Sequence, residues 1–280
     1  MESPVPLLYH SWISGFSQRV RLAFAEKGLE YREQVLNIVH GDQHDPHYLR
    51  VVNPNGTVPT LEHGGKYIRD SKDIIDYIDK LPSEKPNLIP DEGSELRIQV
   101  DHMLDLIDTF DMPRVSRLAL ATPQLAKDPV LSADDRKKLF EGVGSKRTEK
   151  LKRVKAENPD ISEIVQVIID KSPPPSSATT REAALLTQLD VCDKGFAEIE
   201  TALEKQKESS GGQQYWLCAD HITLPDIHLG VLLHRLVFVG QAKRLFLVKQ
   251  PLLTNYYQRF IARQSFRSQC SVVNDPSQWA

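Results

Sequence analysis

The sequence predicts an α+β chain in two parts: a small mixed sheet covered by helices, then a larger all-helical region. Three observations point there. Strand and helix patterns alternate through the first eighty residues in the order β-α-β-α-β-β-α. Pro82–Gly93 is a break rich in Pro, Ser and charge. Beyond it strand patterns nearly vanish and amphipathic helical patterns take over. At 280 residues the chain has room for about two domains, placed at 1–82 and 93–280.

Taken in order, Val5–His10 is short and apolar and suits a buried strand. Ser14–Gly28 reads as a helix, with Val20, Ala23, Phe24 and Lys27 on one face and Gly28 at the position that ends it. Tyr31–Ile38 reads as a second strand, and His40–Leu49 as a polar loop with a short helix. Thr57–Glu62 and Lys66–Arg69 flank His63-Gly64-Gly65 and so form a hairpin. Ser71–Leu81 places Ile74, Ile75, Ile78 and Leu81 on one helical face. After the break, Glu95–Ala121 is helical with Leu96, Val100, Met103, Leu104 and Ile107 as its buried stripe, kinked or ended by Pro113. Asp134–Asn158 is a charged helical pattern and Ile161–Asp170 a short apolar helix. Ser172–Thr180 is low-complexity and expected to be mobile. Arg181–Lys207 is a long amphipathic helix ended by Ser209-Ser210-Gly211-Gly212. Pro225–Val239 and Leu252–Arg263 are the last two helices.

Composition excludes several classes. Apolar residues at 40% and charged residues at 26% are ordinary for a globular protein. A net charge of −3 excludes a globally basic nucleic-acid binder. No apolar run approaches the ~18 residues of a membrane-spanning helix, and no signal peptide is visible at the N-terminus. Cys192, Cys218 and Cys270 are odd in number and far apart, which argues for a reducing compartment and against a disulfide scaffold. The charge is unevenly spread: residues 227–280 carry seven Lys/Arg and one acidic residue. Arg235, Lys243, Arg244, Lys249, Arg259, Arg263 and Arg267 lie in a span without carboxylates, which predicts a basic face suited to an anionic membrane surface. A second basic stretch is Arg136–Lys155. Phe238, Phe246, Tyr256, Tyr257 and Phe260 alternate with these cations; their helical spacing predicts a buried aromatic face, cations outside, rather than a nucleic-acid stacking platform.

Three motifs carry chemistry. Val58-Pro59 follows a turn at Asn53-Pro54-Asn55-Gly56; a cis bond there leaves the Val58 backbone free to pair with an extended ligand. Asp70-Ser71 opens a helix whose N-terminal N–H groups suit a carboxylate. Ser14-Gly15-Phe16-Ser17 stands where a thioredoxin-like redox protein has Cys-x-x-Cys, so disulfide exchange is excluded there. With Thr223-x-x-Asp226 opening a later helix as a variant capping box, their order and spacing resemble the glutathione S-transferase superfamily. That resemblance implies a thioredoxin-like N-terminal domain followed by an all-α C-terminal domain.

Finer motifs are Ser14–Leu22, Asn55–Pro59, Ile74–Tyr77, Tyr215–Cys218 and Leu232–Leu236. Together with about 60 extra residues inserted at about 122–180, they resemble the ganglioside-induced differentiation-associated protein 1 family. The family resemblance implies a tail-anchored, regulatory protein of the mitochondrial outer membrane that influences network fission and fusion, with weak or no conjugating activity. The present sequence departs from it by stopping at Ala280 without a hydrophobic tail.

The resemblance implies that Ser14, with Ser17 in reserve, stabilises a glutathione thiolate. Val58 and Pro59 would face the cysteinyl backbone, and Asp70 and Ser71 would hold the γ-glutamyl end. The local alternative is that these serines only cap the helix. Glutathione is the one cofactor implied, and no metal is expected. His40, His44 and His47 with Asp42 and Asp45 have ligand-like spacing if helical, but read as a solvated polar loop. Cys218 reads as packed core, and Cys270, amid basic residues, as a thiol of lowered pKa if exposed. Partners implied are a second copy of the chain, an anionic membrane surface, and mitochondrial or cytoskeletal proteins; nucleic acid is not expected. Two alternatives remain beside the regulatory scaffold: an active glutathione-dependent transferase using Ser14, and a carrier of a fatty or other apolar acid in the interdomain cleft, neutralised by Arg114 or Arg117.

Overall fold

The computed structural model describes residues 5–127, 130, 132, 134, 143–171, 177–211 and 215–270. Arg136–Lys138, Ser172–Ser176 and Gly212, read above as parts of a basic stretch, a low-complexity segment and a helix stop, lie outside them.

One four-stranded sheet forms, in the order β2-β1-β3-β4. Strands β1 (Leu7–His10) and β2 (Arg32–Val35) are parallel, while β3 (Thr60–His63) is antiparallel to both β1 and β4 (Lys66–Ile68). Leu8 of β1 sits opposite Leu61 of β3, and both are fully buried. Helix α1 (Gly15–Lys27) and helix α2 (Ser71–Asp79) pack together through Val20, Phe24, Ile74, Ile75 and Ile78. The ends of α1 are set by its sequence: Ser14 is the N-cap, and Gly28 takes the left-handed conformation that closes the helix.

The α2-to-helical-region connection is pinned rather than loose. The two carboxylate oxygens of Asp79 accept from Leu88 N (2.8 Å) and Ile89 N (3.0 Å). Lys27 Nζ lies 3.3 Å from Asp79 and donates to Asn87 at 2.8 Å, and both charged groups are buried. Leu88 O in turn accepts from Leu224 N of a later helix.

The expected helix at Glu95–Ala121 is two helices, α3 (Glu95–Asp108) and α4 (Met112–Ala121). Pro113 fits only the first turn of a new helix, and Asp111 caps it, accepting from Arg114 N at 3.1 Å. Then come α5 (Val143–Glu157), α6 (Ser162–Asp170) and α7 (Ala178–Ser209). The apolar α8 (Leu224–Phe238) is buried along nearly its whole length. A short α9 (Ala242–Leu245), α10 (Pro251–Ala262) and α11 (Gln264–Cys270) complete the helical region. Helices α9 and α11 were not anticipated. Helix α8 passes close to α10 because Gly230 has no side chain: a Cβ there would come within 2.2 Å of the Phe260 ring. Phe238, Phe246, Tyr256, Tyr257 and Phe260 all face inward.

The described part of the insertion is folded. Helices α5 and α6 pack against each other and against residues 42–52, building a separate small core from Leu49, Leu151, Val154, Ile161, Val165 and Ile168. Arg50 bonds Asp160 (2.6 Å) and Asn158 (2.7 Å), and Lys150 pairs with Asp45 (2.6 Å). Such exposed pairs are worth little; the apolar contact does the anchoring. The polar loop with a short helix read at His40–Leu49 holds two short helical turns, Asp42–His44 and Tyr48–Val52. Leu49 is buried in the small core against the insertion, whereas Tyr48 is buried on the sheet side, edge-on to Tyr9 and donating to Thr57 O at 2.7 Å.

Candidate functional site at one end of the sheet

The sheet register brings the three chemical motifs together. Tyr9, next to last in β1, lies opposite Thr60, the first residue of β3, and Leu61 lies opposite Ile68, the last residue of β4. The chain after β1 (Ser14, Ser17), the chain before β3 (Val58, Pro59) and the chain after β4 (Asp70, Ser71) therefore emerge at the same end.

Each piece has a local cause. Ser14 Oγ accepts from Ser17 N at 3.3 Å, and Ser17 Oγ accepts from Ser11 N at 3.3 Å. Both serines thus cap local backbone. They differ in access: Ser14 is 9% exposed and Ser17 0%, so of the two only Ser14 can meet a solute. The Val58–Pro59 bond is cis, and among the described residues no backbone hydrogen bond engages Val58. Asp70 is the N-cap of α2 and accepts from Lys72 N at 2.8 Å, while Ser71 opens the helix.

Beside this end lies a cavity of about 540 Å³ between α1, α4, α5 and α8, lined by Ile13, Phe16, Met112, Leu120 and Phe238, with Arg117 and Arg235. Gly15 permits the α1–α4 approach that shapes it: a Cβ there would meet Met112 at 2.6 Å. Arg117 lines the cavity and Arg114 does not. Sequence reasoning missed Phe16, Met112 and Phe238 as lining residues; only Phe16, inside the serine motif, carried a local signal.

The basic face expected from the C-terminal residues needs correction. Arg235 is buried, its guanidinium donating to Ile13 O. Arg259 donates to Tyr215 O at 2.8 Å and stacks over Tyr215 and Trp216. Arg263 makes a two-bond pair with Glu26, at 2.8 and 2.6 Å. These three are structural cations turned inward, where aromatic rings and distant acceptors satisfy them. Lys249 pairs with Asp193 at 2.6 Å. Lys243, Lys249 and Arg267 are exposed and Arg244 is half-buried.

Thr223 and Asp226 sit in the core. The Asp226 carboxylate reaches back to Thr223 N (2.8 Å), takes the Thr223 hydroxyl (2.8 Å), and accepts from Leu217 N (2.9 Å) and Tyr256 OH (2.9 Å).

A lowered pKa at Cys270 required exposure, and that condition is not met. The thiol is buried and burial pushes it up to about 12, although Arg21 and Arg235 pull the other way. Cys218 is likewise buried and raised to about 12. His44 is buried beneath the insertion, whereas His40 and His47 are exposed, so the three do not share a face. Burial, with Arg147 and Lys150 nearby, lowers the His44 pKa to about 4.

Comparison with known proteins identifies the fold and the family. The family model described as "Glutathione S-transferase, N-terminal domain" matches residues 8–86. A β-etherase from Sphingobium superposes with a TM-score of 0.67 at 19% identity, over 95% of this chain and 98% of the other. Glutathione transferase F7 of Populus trichocarpa gives 0.63 at 17%, over 97% and 99%. The fold is that of a glutathione S-transferase. Along nearly its whole length the chain is also 30% identical to the human ganglioside-induced differentiation-associated protein 1-like 1, over 276 residues that cover 93% of this chain and 72% of that protein. The chain belongs to the ganglioside-induced differentiation-associated protein 1 family. Its N-terminal part is in addition 44% identical to glutathione S-transferase Z1 of Arabidopsis thaliana, over 81 residues covering 29% of this chain and 36% of that one.

Proposed function

We propose that this chain is a glutathione-binding, transferase-like protein with weak conjugating activity and a regulatory role at the mitochondrial outer membrane. The convergence of Ser14, Val58 and Asp70-Ser71 at one sheet end, beside an apolar cavity, carries the binding part. Val58 offers unpaired backbone to the cysteinyl residue of an extended tripeptide. Asp70 faces its amine, and Ser71 with the positive end of α2 holds its α-carboxylate. The Ser14 hydroxyl, accepting from Ser17 N, has its proton left to donate to the thiol sulfur. A free thiol has a pKa of ~8.5, so such a bond favours the nucleophilic thiolate. The cavity beside Phe16 then takes the electrophile.

Calorimetric titration with reduced glutathione is expected to give a Kd of about 1 mM or tighter. Asp70→Ala is expected to weaken it about ten-fold, and Ser14→Ala to abolish turnover of a model electrophile while leaving binding nearly intact. Absence of heat at about 10 mM glutathione would overturn the assignment and leave the N-terminal domain a scaffold.

Family membership supports the cellular part of the reading, and a homodimer with it. Among the described residues no helix is long and apolar enough to cross a membrane, and three of the seven expected surface cations are engaged inside the fold. The reading therefore leans on partner proteins more than on a lipid-facing basic surface. In its native cells the protein is expected to sediment with mitochondria and to be digested by protease added to intact organelles. Recovery in the cytosol alone would sink this part.

A further inference from the structure

Arg147 is a cation without a counter-charge. It stands half-buried on α5, and among the described residues no carboxylate pairs with it. Burial pushes its pKa down and no anion offsets that push. Its Nε is buried and has no partner. Near it, His44 is fully buried, and neither of its ring nitrogens is bonded. The other cation there, Lys150, is already taken by Asp45. A neutral imidazole carries one N–H donor, so a cation and a donor stand together with nothing to accept from them. Leaving such groups buried and unpaired is costly, and an anion between them removes the cost.

The sheet fixes where this happens. Strand β2 is parallel to β1, so the chain leaving β2 emerges at the same end as Ser14 and Val58. In the strand order, Asp70 and Ser71 follow β4 at one edge, Val58 precedes β3 inside, and His44 follows β2 at the other edge. The His44 ring reaches the turn before Val58: its Cδ2 lies 3.0 Å from where a Cβ on Gly56 would stand. On α5, Gly144, Arg147 and Leu151 share one face. Gly144 lines the cavity beside Phe16, and Leu151 packs with Leu49 in the small core. Arg147 is held between these two anchors. A peptide with its amine at Asp70 and its middle residue at Val58 therefore runs on toward His44 and Arg147.

We propose that the insertion is a working part of the thiol-peptide site: the Arg147 guanidinium, with the His44 ring beside it, holds the free carboxylate at the peptide's third residue. The planar fork of a guanidinium matches a carboxylate with two parallel bonds. The proposal rests on the reading of this sheet end as a glutathione site. It adds two properties. Tight binding requires an unblocked C-terminal carboxylate, and the ligand and the docked insertion stabilise each other, since coupling between two binding events is reciprocal.

The test titrates reduced glutathione and its glycine ethyl ester into the full chain. The free acid is expected to bind about ten-fold tighter than the ester. Arg147→Met is expected to remove that preference. His44→Phe keeps the packed ring, loses the donor, and is expected to cut the preference several-fold. Arg153→Gln alters an exposed cation on the opposite face of α5 and is expected to change nothing. Saturating glutathione is also expected to slow amide exchange over residues 143–157, and the ester to leave it as it was. Equal binding of acid and ester overturns this proposal and leaves the thiol-peptide site standing. So does a preference that survives in folded Arg147→Met, or amide exchange that glutathione does not change. Failure of both ligands to bind removes the thiol-peptide site, and this proposal with it.

Discussion

Asp226→Ala is expected to destabilise the protein by about 3–5 kcal/mol. The carboxylate is fully buried and serves four donors: Leu217 N, Thr223 N, the Thr223 hydroxyl and Tyr256 OH. Truncation leaves all four facing an apolar hole. An orphaned buried donor costs about 1–3 kcal/mol, and water entering the gap recovers part of the sum. The damage also spreads across elements. Thr223 begins α8, Leu217 belongs to the preceding loop, and Tyr256 belongs to α10, so one side chain ties three segments. Asp226→Asn keeps the size but turns an amide N–H₂ toward donors, and is expected to cost about 2 kcal/mol. Urea unfolding checks both, read as a drop in midpoint at constant slope. A loss below about 1 kcal/mol for the alanine variant would refute the account.

Val165→Asp is expected to release the insertion and leave the rest folded. Val165 is fully buried in the small core shared by α5, α6 and Leu49. A carboxylate there has no partner and costs several kcal/mol, more than so small an apolar contact supplies. The main core uses none of these residues. Amide hydrogen exchange is the readout: protection is lost over residues 143–170 and 42–52 while α8 keeps its slow amides. Leu49→Asp, from the opposite side of the same contact, is expected to give the same pattern. Loss of protection throughout α8 would show that the insertion is integral to the whole fold.

Local chemistry made much of the fold legible. The caps of α1, the Gly-Gly hairpin, the apolar stripe of α2 and the Thr223–Asp226 pair are each set by residues within a few positions of one another. Where the sequence misled, the deciding partner was distant. Residues 227–274 carry no carboxylate, so their cations read as a solvated face. Glu26 and Asp193, however, reach Arg263 and Lys249 from other helices, and the aromatic rings of Tyr215 and Trp216 take Arg259. Cys270 stayed open for the same reason: the basic residues near it in sequence say nothing of the packing that buries it. Helix α11 carries too short a pattern to stand out, and the break at Asp111 depends on a left-handed residue (φ 43°) that no periodicity reveals. The same division holds at the site. Ser14, Val58, Asp70 and Ser71 were legible because motif order encodes the strand register that gathers them. The cavity was not, because Met112 and Phe238 come from helices distant in sequence, and the approach of the Met112 helix depends on Gly15 lacking a side chain.

The buried Asp79 carboxylate has a consequence for how the cleft behaves. By holding the amides of both Leu88 and Ile89 while paired with Lys27 of α1, it removes the hinge that a Pro- and Ser-rich connector would otherwise supply. Bending the two parts apart at this connector has to break two buried amide bonds and a buried ion pair, so the cleft opens there only at that cost.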